Sequence, residues 1–98
     1  MVRHIILWQL KEELSPAEKQ TVLCNMKREL EALVGVVPGL CALTVHIEGL
    51  ATSNADAMLE STLTDADALA GYAVHPAHVA AADGFVRPFV KSRLCLDF

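Results

Sequence analysis

Four histidines and a single tyrosine hold most of the chemistry open to this chain. His75 and His78 lie in Tyr72-Ala73-Val74-His75-Pro76-Ala77-His78-Val79, and His4 and His46 lie in apolar, strand-like stretches. A neutral imidazole with a reference pKa of about 6.5 takes a proton near physiological pH, which makes His78 a candidate general base. Tyr72 can reach the same cavity, where its phenol can orient an imidazole or a carbonyl oxygen. His75 reads as a local hydrogen-bonding residue that fixes the turn before Pro76, and His4 by default as a satisfied core histidine. The H-x-x-H spacing of His75 and His78 is half of a metal site. A catalytic zinc needs a third protein ligand, and His4, Cys95 and Asp97 are candidates between which the sequence does not choose.

Several other chemistries are missing. There is no G-x-S-x-G and no cysteine beside a histidine, so no nucleophile motif stands out. Gly35, Gly39 and Gly49 do not form a phosphate-cradling G-x-G-x-x-G. Cys24, Cys41 and Cys95 are odd in number and make no C-x-x-C pair. They are expected to be small buried residues in a reducing cytoplasm.

The elements that must position these groups follow from periodicity. Val2–Leu10 alternates as a strand, with Val2, His4, Ile6, Trp8 and Leu10 on one face and Arg3, Ile5, Leu7 and Gln9 on the other. Ser15-Pro16-Ala17-Glu18 is a capping box with proline at the first helical position. Leu23, Met26, Leu30, Leu33 and Val37 continue it as one apolar stripe, with Gly35 as the stop and Pro38-Gly39 as a turn. Leu40–Glu48 is a second strand, with Leu40 and Ala42 on one face and Cys41, Leu43, Val45 and Ile47 on the other. Ala55–Thr64 is a third. Asp65 caps a helix over Ala66–Ala73, which His75-Pro76 interrupts. Ala77–Asp83 adds a helical turn or two up to Gly84. Phe89–Phe98 is the last strand, with Val90, Leu94, Leu96 and Phe98 on one face and Phe89, Lys91, Arg93, Cys95 and Asp97 on the other.

The order β-α-β-β-α-β predicts one α+β domain over residues 1–98, a ferredoxin-like four-stranded antiparallel sheet with both helices on one face. The first strand is nonetheless apolar on both faces, and the second helix-free face needs a cover. A second copy of the same sheet is the simplest one, giving a homodimer with a barrel-like interior. The same burial is expected to wall the pocket of His78 and Tyr72. Composition agrees: 53% of the 98 residues are apolar, a high share for so small a core, and 20% are charged. That content excludes disorder, and no run is long enough to span a membrane. The start shows no secretory pattern, so a cytoplasmic location is expected. Net charge is −4, and no Lys or Arg occurs between Glu29 and Val86, which leaves no basic surface for nucleic acid.

Val2-Arg3-His4-Ile5-Ile6-Leu7, Val37-Pro38-Gly39-Leu40, Tyr72 through Val79 and the closing Arg93-Leu94-Cys95-Leu96-Asp97-Phe98 closely resemble the stress-responsive A/B barrel domain, known as Dabb. The resemblance spans essentially the whole chain and implies a dimeric α+β barrel. Many members have no assigned activity, and some plant members are stress-induced or antifungal. A plant polyketide cyclase of this kind closes a poly-β-keto chain by aldol condensation. By that resemblance His78 acts as base with Tyr72 beside it, and His4 lines the pocket. Two further pocket positions of that cyclase, a tyrosine and a histidine, fall at Met26 and Ala57, which implies a drier pocket here. Some members hold a magnesium ion on backbone carbonyls, which would map to Val34, Val37 and Leu40; no other cofactor is required. The leading expectation is a homodimeric barrel protein that binds a small apolar molecule. The alternative is a cofactor-independent lyase or cyclase acting on a keto-type ligand, and a cofactor-free monooxygenase is a third reading by fold analogy.

Overall fold

The computed structural model describes residues 1–98. Strand β1 (Val2–Leu10) is followed by helix α1 (Pro16–Glu31), then by strands β2 (Leu40–His46) and β3 (Ala57–Leu63). Helices α2 (Ala66–Val74) and α3 (Pro76–Phe85) come next. A single 3-10 turn over Arg87–Phe89 leads into β4 (Val90–Asp97). The strands form one antiparallel sheet in the order β2-β3-β1-β4, the ferredoxin-like arrangement.

The capping box at the start of α1 is made as its sequence implies. Ser15 Oγ accepts from the Glu18 amide at 3.1 Å, and the Glu18 carboxylate accepts from the Ser15 amide at 3.0 Å. The helix is shorter than its apolar stripe, because the chain past Glu31 tightens into turns. Leu33 donates to Leu30 at 3.1 Å and Val36 to Leu33 at 3.0 Å. Val22, Leu23, Met26 and Leu30 are the face it buries. Lys27 anchors the other side, donating to Glu31 at 2.8 Å and to the Val45 carbonyl at 2.9 Å. Gly39 turns the chain at φ +80°. A Cβ there would lie 2.6 Å from Ala68 Cβ, so only glycine lets α2 seat.

Three expectations about faces and ends are corrected. Leu40 shares a face with Leu43 and Val45, because the β2–β3 register slips across Cys41. Val90 lies opposite Leu10 on the helix-covered side, not with Leu94 and Leu96, because the register shifts around Lys91. Helix α3 runs through Gly84 to Phe85, held by the packing of Ala81, Ala82 and Val86 in the core. The cysteines are also corrected: Cys24, Cys41 and Cys95 are all exposed. Cys24 sits off the apolar stripe of α1, Cys41 is the extra residue of the slipped pair, and Cys95 lies on an edge strand.

The core lies between the helices and one side of the sheet. It collects His4, Ile6, Trp8 and Leu10 of β1 with Leu43, Val45, Leu59 and Leu63 of β2 and β3. The other side of the sheet carries Ile5 and Leu7, paired across to Leu96 and Leu94. Leu94, Leu96 and Phe98 are about two-thirds exposed in the single chain, at 72%, 65% and 67%. No helix is long and apolar enough to cross a membrane.

Candidate functional site

Between the sheet and helices α2 and α3 lies a cavity of about 430 Å³. Its walls are mostly apolar: Ile6, Trp8, Leu30, Leu59, Leu69 and Val86 among them. His4, Tyr72 and His78 supply its aromatic polar groups, and Arg87 and Arg93 its charges. The pocket therefore lies on the helix side of the sheet. The expectation that the uncovered sheet face would wall it is wrong, because alternation turns His4, Ile6 and Trp8 away from that face.

The second half of the chain folds to bring Tyr72 and His78 together. Asp65 caps α2 by accepting from the Ala68 amide at 2.7 Å. His75 ends α2 with ψ 132° and caps α3, its Nδ1 accepting from the Ala77 amide at 3.1 Å. That break turns the chain so that residues of two helices share one end of the cavity. The rings of Tyr72 and His78 lie 4.2 Å apart between centroids, tilted by 38°. His4 meets Tyr72 edge-on at 6.0 Å. The Nδ1 of His75 is thereby engaged in capping α3.

Hydrogen bonds fix the roles of these rings. His78 Nδ1 lies 3.2 Å from the Ala73 carbonyl, which can only accept, so Nδ1 carries the proton and Nε2 keeps the lone pair. Burial pushes the His78 pKa below the ordinary imidazole value, against the pull of the Ala73 carbonyl. The positive charges of Arg87 and Arg93 add to the depression. Burial raises the Tyr72 pKa to about 12 despite Arg93, so its phenol stays protonated. His4 Nδ1 pairs with Asp97, and Ser61 Oγ donates to the His4 carbonyl at 3.3 Å. Burial acts to raise the Asp97 pKa, but the His4 imidazole outweighs it and holds the carboxyl below its usual value. Cys95 Sγ lies 3.5 Å from the same carboxylate, and burial together with Asp97 pushes its thiol up. The site thus combines one basic nitrogen, one phenolic donor and a carboxylate-bound imidazole at one end of an apolar chamber.

His4, Tyr72 and His78 of the expected site are brought together. Met26 and Ala57 are buried in the core and do not line the cavity. Val34, Val37 and Leu40 fall in and just after the turn that follows α1. The Val37 carbonyl already accepts from the Leu40 amide at 3.3 Å, and no carboxylate occurs between Val34 and Leu40. Nothing beyond backbone carbonyls would draw a magnesium ion there. Sequence reasoning missed Arg87 and Arg93 as cavity residues. The signal for Arg93 was its alternation with Cys95 and Asp97 on the face away from Leu94 and Leu96.

A four-stranded ferredoxin-like sheet with a chamber under its helices defines the structural class. The family model described as the stress responsive A/B barrel domain matches residues 2–98, and the chain belongs to that family. Similar structures share the fold over nearly their whole length. A dimeric protein of unknown function from Bacteroides fragilis is 29% identical with a TM-score of 0.93, over 99% of this chain and 93% of that one. A dimeric ferredoxin-like protein of unknown function from Thermobifida fusca is 26% identical with a TM-score of 0.78, over 99% and 88%. A hydroxynitrile lyase from Passiflora edulis is 17% identical with a TM-score of 0.73, over 99% and 90%, a likeness of fold alone. A comparison with curated proteins finds no match.

Proposed function

We propose that this domain binds a small, largely apolar molecule in the chamber between the sheet and helices α2 and α3, and that it does so as a homodimer. The observation that carries the binding reading is the chamber itself: about 430 Å³, apolar walls, and three aromatic polar groups gathered at one end. Ligand sites of this size typically have such a composition. The dimer reading is supported by the exposed Leu94, Leu96 and Phe98 beside Ile5 and Leu7, an apolar face that water disfavours. It is also supported by the dimeric state of the similar proteins from Bacteroides fragilis and Thermobifida fusca.

The ring-closing alternative is not favoured. The similar proteins at 29% and 26% identity have no known function, and the activity named at 17% is that of a hydroxynitrile lyase. His78 Nε2 and the Tyr72 phenol would still orient the polar end of a bound molecule. Trp8 is the only tryptophan and lines the chamber, so its emission reports occupancy directly. Titration with decan-1-ol is expected to shift Trp8 emission saturably, with one site per chain. Filling the chamber with Ala82→Phe is expected to abolish the shift. An unchanged emission in the wild type would overturn the reading, and a monomer at micromolar concentration by light scattering would overturn the dimer.

A further inference from the structure

The charges of the chamber are out of keeping with the rest of the chain. Acidic residues outnumber basic ones, 12 to 8, yet the chamber lining holds two arginines and no Asp or Glu. The two arginines differ in their state. Arg87 pairs with Asp83 one helical turn back. Arg93 has no carboxylate within ion-pair distance, a state it shares with Lys11 and Lys19 outside the chamber, whereas Arg3, Lys27, Arg28 and Lys91 each have one. The nearby Asp97 is already engaged by His4 and Cys95 and is not part of the lining.

We propose that the molecule bound in the chamber is an apolar carboxylic acid, its carboxylate held by Arg93 and its hydrocarbon body packed on Ile6, Trp8, Leu59 and Val86. The proposal rests on the binding reading above and names the class of ligand for that site. A guanidinium matches a carboxylate with two parallel N–H···O bonds, a geometry that an ammonium does not reproduce. Arg93 stands on the exposed edge strand β4, so the headgroup keeps contact with water while the tail enters the dry interior. A carboxylate carried deeper without such a partner would lose far more in desolvation than the tail gains. The Tyr72 phenol lines the same chamber and offers a donor for a polar substituent on the ligand.

The test compares decanoate with decan-1-ol by Trp8 emission and calorimetry. Wild type is expected to bind decanoate about tenfold or more tightly than the alcohol, the scale of a charge-assisted hydrogen bond. Arg93→Gln is expected to erase that preference and leave alcohol binding unchanged. Arg93→Lys is expected to keep part of it. Lys91→Gln removes the same charge from a residue committed to Glu12 and is expected to change nothing. Equal binding of acid and alcohol, or a preference that survives Arg93→Gln, would overturn the carboxylate proposal while leaving the binding reading in place. Failure of both probes to bind would overturn both.

Discussion

The two faces of one sheet begin with similar residues and end in different states. On the helix side, Ile6, Trp8, Leu43, Val45, Leu59 and Leu63 are closed over by α1, α2 and α3. On the other side, Ile5, Leu7, Leu94 and Leu96 form a band that nothing in the chain covers. The helix side also keeps polar groups, three of them bonded within the chain: His4 holds Asp97, Ser61 bonds the His4 carbonyl, and His78 bonds the Ala73 carbonyl. The open side has polar pairs as well, though less buried: Ser92 Oγ donates to Gln9 Oε1 at 2.8 Å at one end of the β1–β4 band, and Glu60 meets Arg3 at 3.9 Å and His46 at 3.4 Å. Apolar character alone therefore does not distinguish a chamber from an interface. What separates them is whether buried polar groups are present and satisfied, since an unpaired one would cost about 1–3 kcal/mol.

That contrast can be broken one side at a time. The largest effect on folding belongs to the helix side. Leu63 is fully buried there, so Leu63→Ala is expected to cost about 2–5 kcal/mol in denaturant unfolding. The same variant is expected to leave the association of the surviving folded chains unchanged by light scattering. The open side behaves conversely. Leu96→Glu places a charge in the uncovered band and is expected to weaken dimerisation by on the order of 3 kcal/mol in sedimentation measurements. Decan-1-ol binding per folded chain should survive it. Loss of the Trp8 response in Leu96→Glu would show that the two faces are coupled.

A smaller effect, common to both faces, comes from the α1 cap. Ser15→Ala is expected to lower stability by about 1 kcal/mol without altering ligand preference or association. The subtlest test is pH. The folded His78 pKa lies below its unfolded value, so the stability it contributes is present above the ordinary imidazole range. That stability is lost as pH falls through the depressed value. Thermal midpoints of the wild type are expected to fall on acidification through that window, and His78→Gln is expected to flatten that part of the profile. The folded Asp97 pKa is also depressed, so its contribution is lost at lower pH still, as pH falls through the carboxylate range.

Much of the fold was legible in the sequence because it rests on short-range rules. The alternation of β1, the Ser15–Glu18 capping box and the break at His75-Pro76 each follow from neighbouring residues alone. The site was partly legible for the same reason, since Tyr72 and His78 sit close together in the chain. The rest depended on register. The slips at Cys41 and Lys91 moved Leu40 and Val90 to the other face, and a single extra residue in a strand carries no mark in its own composition. Arg93 enters the chamber only because β4 pairs with β1, opposite Trp8. Gly84 looked like a helix stop, yet the packing of Ala81, Ala82 and Val86 carries α3 past it.

The central claim is that the two faces do separate work, with the ligand on the helix side and the second copy on the open side. Mapping amide and indole chemical-shift changes in the dimer as decan-1-ol is added tests it most directly. The account predicts changes centred on the Trp8 indole, Tyr72, Ala73 and His78, with Ile5, Leu7, Leu94 and Leu96 little altered. Changes centred on Leu94 and Leu96, with the Trp8 indole unmoved, would contradict it.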